Sequence, residues 1–439
     1  MPVRACALLG LLAAAPSAAF VAEEDGFSLS GSVRARYETL DRQARAGFGA
    51  PDDLLAFRTI VGARYRAGAV ELGAELRDSR AYLAERDSPI STGEVNALEL
   101  VQAYVRARVG TAATLQAGRF VLSPGSGRLV ADDSYRNTTN GFTGFRLDLG
   151  EEDDAGPAAV LFAVLPQNRL PDGRDALLAN RVAVDRESFD TVLIGGVGTA
   201  PLAGARVQGG YYLLSERDGG RATRDRRLHT LTARLLRDPQ PGAVDFDIEY
   251  ARQFGRAAAS TAAAAPRQTV SAFYLHAEAG RTWAGPWQPR LSVELEWASG
   301  DGPGRRYGRF DTLYGSRRSD LAPSGIYGAV GRANIISPAL RLEVEPGPRT
   351  DAFVAVHGLW MDSATDAFAT SGVRDPAGAA GRYVGTQVEG RLRHWLLRDR
   401  LQFEGNFAWL AKGRFYRAAP NSPGTANTHY LSLALTAFF

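Results

Sequence analysis

Cysteine is nearly absent from this 439-residue chain, with Cys6 as its single instance. A disulfide framework is thereby excluded, as is any cysteine-ligated metal or iron–sulfur site. Lysine is equally scarce: Lys412 stands alone, so arginine supplies almost all of the 51 basic side chains. Against 48 acidic side chains they leave a formal net charge of +3, a balance that argues against a dedicated nucleic-acid binder. Long apolar runs are missing too. Beyond the N-terminus none approaches the ~18 residues that a spanning helix needs, which excludes a helical membrane bundle. Hydrophobic residues nevertheless make up 45% at a mean hydropathy of −0.18, so they are spread thinly among charges.

The N-terminus reads as a secretory signal peptide over residues 1–19. Arg4 is the positive region, Ala5 to Ala15 the apolar stretch and Ser17-Ala18-Ala19 a small-residue cleavage site. Cleavage removes Cys6 and leaves residues 20–439 as one domain with no cysteine.

Period-two patterning dominates the remainder. Phe27, Leu29, Val33, Ala35 and Tyr37 fall on one face, while Ser30, Ser32, Arg34, Arg36 and Glu38 fall on the other. The same alternation recurs in Leu291, Val293, Leu295 and Trp297 against Arg290, Ser292, Glu294 and Glu296. Alternation sustained this long signals strand and excludes helix. About eighteen such segments are expected, near 27–39, 54–66, 69–80, 96–109, 113–121, 141–149, 157–166, 188–199, 205–216, 227–237, 243–254, 268–281, 289–299, 334–345, 351–362, 382–393, 400–411 and 427–439. Strands of soluble proteins cluster near five or six residues, whereas tilted bilayer-spanning strands need roughly nine to eleven.

A soluble sandwich also alternates, with its polar face in bulk water. Long strands, aromatics at strand ends and an even strand count favour a membrane barrel instead. Tyr37, Tyr65, Phe254, Trp283, Trp287, Trp297, Trp409 and Tyr430 are the expected interfacial girdles. The last segment places Leu431, Leu433, Leu435, Ala437 and Phe439 at every second position, and this aromatic ending resembles the C-terminal strand by which outer-membrane barrels are recognised. The fold expected is therefore all-β: a transmembrane, antiparallel, up-and-down barrel of about 18 strands in outer-membrane lipid. In hydrocarbon such a sheet must close to leave no unpaired edge. At this strand number its lumen admits water and charged side chains. The connections near 122–140 and 300–333 are the candidates for folding inward as gates.

The polar faces hold the candidate site. Arg34, Arg58, Arg106, Arg108 and Arg119 come from the first five segments, with Arg36, Arg64 and Arg66 beside them, and Arg341 and Arg391 extend the set from later ones. Guanidinium stays charged at working pH and matches carboxylates in fork geometry, so an arginine-rich lumen favours anions. The blander account is that these arginines only pair with carboxylates across the lumen. Asp245, Asp247, Glu249, Glu294 and Glu296 form an acidic cluster that either opposes the arginines or pairs with them. Glu294 and Glu296 share a face as a glycosidase pair would, but alternation alone generates that spacing. The five histidines show no metal-ligand spacing, and Gly195-Gly196-Val197-Gly198 opens no helix, so neither a metal nor a cofactor site is expected.

Three stretches carry a resemblance. The first joins Gln102-Ala103-Tyr104-Val105, Gln116-Ala117-Gly118-Arg119 and Gly125-Ser126-Gly127-Arg128-Leu129-Val130; the second is Tyr135-Arg136-Asn137-Thr138-Thr139-Asn140-Gly141-Phe142-Thr143-Gly144. The third runs through Ala298-Ser299-Gly300-Asp301-Gly302, Arg309-Phe310-Asp311 and Gly325-Ile326-Tyr327-Gly328. In this order they resemble the alginate export family of outer-membrane proteins. The resemblance implies an eighteen-stranded barrel with an arginine-lined pore that passes a polyuronate. It also implies that Arg106, Arg119, Arg128 and Arg136 belong to the pore. The function expected is a passive channel for an anionic polysaccharide or oligosaccharide, driven by a gradient or by periplasmic transport partners. A general anion porin for uptake, a plugged barrel and an outer-membrane enzyme are the alternatives.

Overall fold

The structure is a computed structural model that describes residues 25–439 apart from 134, 151–155, 218, 220–221, 263, 305, 317–319 and 324. The signal-peptide segment 1–19 lies outside the described residues. In chain order the strands are β1 (Gly26–Asp41), β2 (Asp52–Ala67), β3 (Val70–Tyr82), β4 (Asn96–Val109), β5 (Ala113–Phe120), β6 (Phe142–Leu149), β7 (Ala158–Pro166), β8 (Thr191–Leu202), β9 (Ala205–Glu216) and β10 (Arg227–Arg237). They continue with β11 (Val244–Ala258), β12 (Arg267–Thr282), β13 (Trp287–Ala298), β14 (Arg306–Tyr307), β15 (Ile335–Gly347), β16 (Thr350–Trp360), β17 (Tyr383–Leu397), β18 (Leu401–Lys412) and β19 (Thr428–Phe438). Two short helices, α1 (Arg174–Leu178) and α2 (Arg414–Ala418), lie in connections.

Apart from the two-residue β14, each strand pairs antiparallel with its neighbours in sequence, and β1 closes on β19 through pairs such as Arg34↔Thr436. The result is a closed barrel of eighteen strands, one for each expected segment. Alternate connections include tight turns; Ala203 (φ 47) and Gly204 (φ 79) form a two-residue turn of the left-handed kind that matches strand twist. The other connections, at 42–51, 83–95, 121–141, 167–190, 217–226, 259–266, 299–334, 361–382 and 413–427, gather at the opposite end.

The usual distribution of polarity is inverted. Phe27 and Leu29 are 69% and 58% exposed on the outer face of β1, while Arg36 and Glu38 on its inner face are 1% and 0% exposed. An outward apolar belt around a polar interior is what a spanning barrel requires. Tyr37, Tyr65, Phe254, Trp283, Trp287 and Trp409 project outward as expected. Tyr430 does not. It shares the inner face with Ser432 and Ala434, is buried, and donates to Glu38 Oε2 at 3.0 Å.

The buried apolar cluster includes much of the inward-folded loops: Leu122, Leu129, Val130, Phe310, Leu321, Ile326 and Tyr327 pack together with Phe368, Phe415 and Tyr416. Connections 121–141 and 299–334 both emerge at the loop end, turn into the barrel and pair with each other. Val130 bridges Tyr314 in parallel, Tyr314 N–H donates to Leu129 O at 2.9 Å, and Ser316 N–H donates to Gly127 O at 3.0 Å. Gly315 permits this approach, because a Cβ there would stand 1.8 Å from the Arg128 carbonyl oxygen.

Candidate functional site

The lumen has two charged walls, and each holds an inward loop by a different chemistry. On β1 and β2 alternation aims Arg34, Arg36 and Arg58 inward, and register sets Arg34 directly beside Arg58. Instead of standing free, they converge on main-chain carbonyls of loop 121–141. Arg34 donates to Tyr135 O (3.1 Å), Arg136 O (3.0 Å) and Asn137 Oδ1 (3.3 Å); Arg36 donates to Tyr135 O (2.6 Å) and Arg58 to Arg136 O (3.0 Å). Arg36 also pairs with Glu38 at 2.7 Å. Asn137 completes the clamp. Its Nδ2 donates to Phe57 O, Arg80 O and Glu94 O, while its own carbonyl accepts from Ser79 Oγ at 2.7 Å.

The second wall is acidic and is built by β11 to β13. Arg128, carried inward by loop 121–141, reaches Asp247 (3.0 Å) and Glu249 (2.9 Å) on β11 and Asp320 (2.9 Å) on loop 299–334. Arg332 joins Asp320 and lies 3.7 Å from Glu296. Burial opposes ionisation of Asp320, but the guanidinium groups of Arg128 and Arg332 outweigh it and hold the carboxyl well below the usual carboxylate range. Burial likewise disfavours the Arg128 cation, yet Asp247 and Asp320 push it well above its ordinary value. His276, Glu296 and Asp320 offer ligand atoms within 4.8 Å of one another, a convergence that the scattered histidines did not announce. Arg128 and Arg332 both reach Asp320, so guanidinium groups already occupy one side of this group.

The remaining arginines divide. Arg106 lies 4.0 Å from Asp148 on the inner face of β4, and Arg108 follows on the same face at the strand's end. Arg136 pairs with Asp133 at 2.6 Å. Arg341 pairs with Glu343 (2.9 Å) and lies 3.9 Å from Glu294, which leaves Glu294 on the acidic wall. Arg391 pairs with Asp351 at 2.7 Å, and Arg341 and Arg391 both approach the ring of Phe353, at 3.9 and 5.2 Å. Arg119 departs from its expected inward position. It shares the outward face of β5 with Leu115 and Ala117 and pairs opposite Ala103 on β4. There Glu99 (2.6 Å) and Glu187 (2.9 Å) cancel its charge, so it is not brought together with the other arginines.

Sequence reasoning missed Asp320, Arg332 and the clamp role of Asn137. Asn137 lay within the second motif stretch, so a signal existed; Asp320 and Arg332 sit in a non-periodic loop and gave none.

A family model described as alginate export matches residues 26–429. Compared by sequence with curated proteins, the chain matches none. Among solved structures it is similar to OccK8 (OprE) of Pseudomonas aeruginosa, at TM-score 0.61 and 12% identity, covering 94% of this chain and 98% of that one. It is also similar to OpdO of the same organism, at TM-score 0.60 and 14% identity over 94% and 97% of the two chains. OccK2 (OpdF) of P. aeruginosa, solved in complex with glucuronate, aligns at TM-score 0.57 and 16% identity over 94% and 99%. Barrel and family together favour a channel over an enzyme. Across nearly its whole length the chain belongs to the alginate export family, as a β-barrel of the bacterial outer membrane.

Proposed function

We propose that the protein passes an anionic, uronate-type polysaccharide or oligosaccharide through this lumen, with arginine as the selective lining. The observation that carries the reading is the inner face of β1 to β6. There Arg34, Arg36, Arg58, Arg77, Arg106 and Arg146 face the interior. Arg36, Arg77, Arg106 and Arg146 have carboxylate neighbours, whereas Arg34 is met by neutral oxygens, so positive charge persists there beside the path. On the acidic wall, loop arginines answer the carboxylates, so that wall repels an anion less than its sequence implies. Passage through outer-membrane lipid is then passive, driven by a gradient or by periplasmic transport partners.

The glucuronate bound in OccK2 (OpdF) supports a second reading, uptake of small uronates by a porin. Planar-bilayer conductance of the refolded protein, with reversal potential in a salt gradient and added oligouronate, tests both. Anion-selective current blocked by oligouronate supports the polyuronate channel. Anion selectivity without that block, but with glucuronate flux, supports the porin. Cation selectivity overturns the arginine lining.

A further inference from the structure

Arginines at the loop end fall into two sets, those that hold a carboxylate and those, such as Arg45, Arg224 and Arg169, that donate to neutral oxygens. Arg128, Arg136, Arg309 and Arg332 each hold a carboxylate. Arg169, three residues beyond β7, holds none among the described residues. Its Nη1 donates to Thr139 O (3.1 Å) and to Asn140 Oδ1, while its Nε is buried without a partner. Burial, aided by the charge of Arg136, pushes this guanidinium down to about 10, as expected of a cation lacking its anion.

Arg169 borders a cavity of about 170 Å³ above the ends of β6 and β7, lined also by Thr92, Asn140, Gln167, Asn168 and Tyr314. Sites for drug-sized ligands run to roughly 300–1,000 Å³, so this one admits a single small polar unit. The cavity is built rather than incidental. Asn140 Nδ2 is fixed by Ala131 O (2.8 Å) and Tyr314 O (2.9 Å), which presents its Oδ1 to Arg169. Gly141 lets the Gln167 amide lie across the chain, because a Cβ there would stand 2.2 Å from Gln167 Oε1. The Tyr314 ring is set by an edge contact with Phe142, at 5.6 Å and 81°.

We propose that this cavity is a binding subsite for one uronate residue. The sugar carboxylate takes the edge of the Arg169 guanidinium that borders the cavity, hydroxyls meet Gln167 and Thr92, and Tyr314 supplies an aromatic wall for the pyranose. A charged fork rejects the neutral analogue, since an unmet polar group in a buried site costs more than a lost contact. The subsite rests on the anionic-saccharide reading above and adds its position.

The test is glucuronate block of potassium chloride current in planar bilayers, with glucose as the neutral control, for the wild-type barrel, Arg169→Gln, Arg169→Lys and Thr92→Phe. The expected result is block by glucuronate and not by glucose. The half-blocking concentration should rise at least tenfold in Arg169→Gln, and less in Arg169→Lys, which keeps the charge without the fork. Thr92→Phe fills the cavity and leaves the bonds of Arg169 in place; it should match Arg169→Gln, and it decides the matter if Arg169→Gln forms no channels. Unchanged block in Arg169→Gln and Thr92→Phe, with the wild type still blocked, overturns the subsite and leaves the channel reading standing. Absence of block in the wild type also overturns the subsite, while the channel reading stands or falls on oligouronate block and ion selectivity.

Discussion

The two walls of the lumen hold the same loop by opposite means. The basic wall grips loop 121–141 at Tyr135 and Arg136 with guanidinium-to-carbonyl bonds, and a carbonyl satisfies a donor without cancelling its charge. The acidic wall grips the same loop at Arg128 with Asp247 and Glu249, Asp320 of loop 299–334 adds a third carboxylate, and there charge meets charge. At the loop contact Arg34 therefore keeps its field, whereas the acidic wall spends its field on docking. Docking strength and ionic selectivity are assigned to different residues as a consequence, and variants on each wall separate them.

The largest effect is expected from Arg128→Met. Arg128 is buried, and its loss leaves Asp247, Glu249 and Asp320 facing one another with Arg234 and Arg332 as their remaining cations. Removing one partner of a buried ionic cluster costs about 3–5 kcal/mol. Loops 121–141 and 299–334 should undock, seen as larger single-channel conductance and earlier proteolysis within 121–141. Unaltered conductance and proteolysis would show that the apolar contacts around Leu129 and Val130 suffice.

A smaller effect of a different kind is expected from the double variant Arg34→Met and Arg58→Met. The lost bonds leave only neutral oxygens behind and strand no charge, Arg36 still holds Tyr135 O, and Asn137 still anchors the loop through three donated bonds. Conductance should change little, while the anion-to-cation permeability ratio falls several-fold. The comparison breaks if this variant opens the pore as Arg128→Met does, or if Arg128→Met changes selectivity more than the double variant.

The barrel was legible because closure in lipid imposes a strict period. All eighteen expected segments are strands, although β8 begins at Thr191 where 188 was expected. The inward arginines on β1 and β2 followed from the same count. The errors share a cause, since residues were assigned by type where position should have ruled. Tyr430 was put in the girdle as an aromatic, though it alternates with Leu431 and Leu433 and so faces inward. Arg119 was put inward as a cation, though it follows Leu115 and Ala117 on the outer face of an eight-residue strand. What the period could not reach was the lumen filling. Arg128 and Asp320 are 192 residues apart on two loops, and nothing periodic links them.

The smallest effect concerns connection 167–190, which packs on the rim of β4 without using either wall. Val182 bridges Ala97 in parallel, and Asp185 accepts from Leu170 N–H (2.8 Å) and from Asn96 Nδ2 (2.6 Å). Burial pushes the Asp185 carboxyl up to about 7; the Leu170 and Asn96 bonds and Arg169 pull the other way, and Glu99 adds to the rise. Because its docked value lies above its ordinary one, the docked loop binds more protons between the two, so docking weakens as pH rises from about 4 through 7. Amide exchange over residues 180–187, corrected for intrinsic rates, should show less protection at pH 8 than at pH 5. Asp185→Asn keeps an acceptor for both donors and removes the titration, so the difference should vanish in that variant. If it persists, another group governs the rim. If protection instead rises with pH, the carboxylate is the docked form, and this loop is held by charge as the acidic wall is.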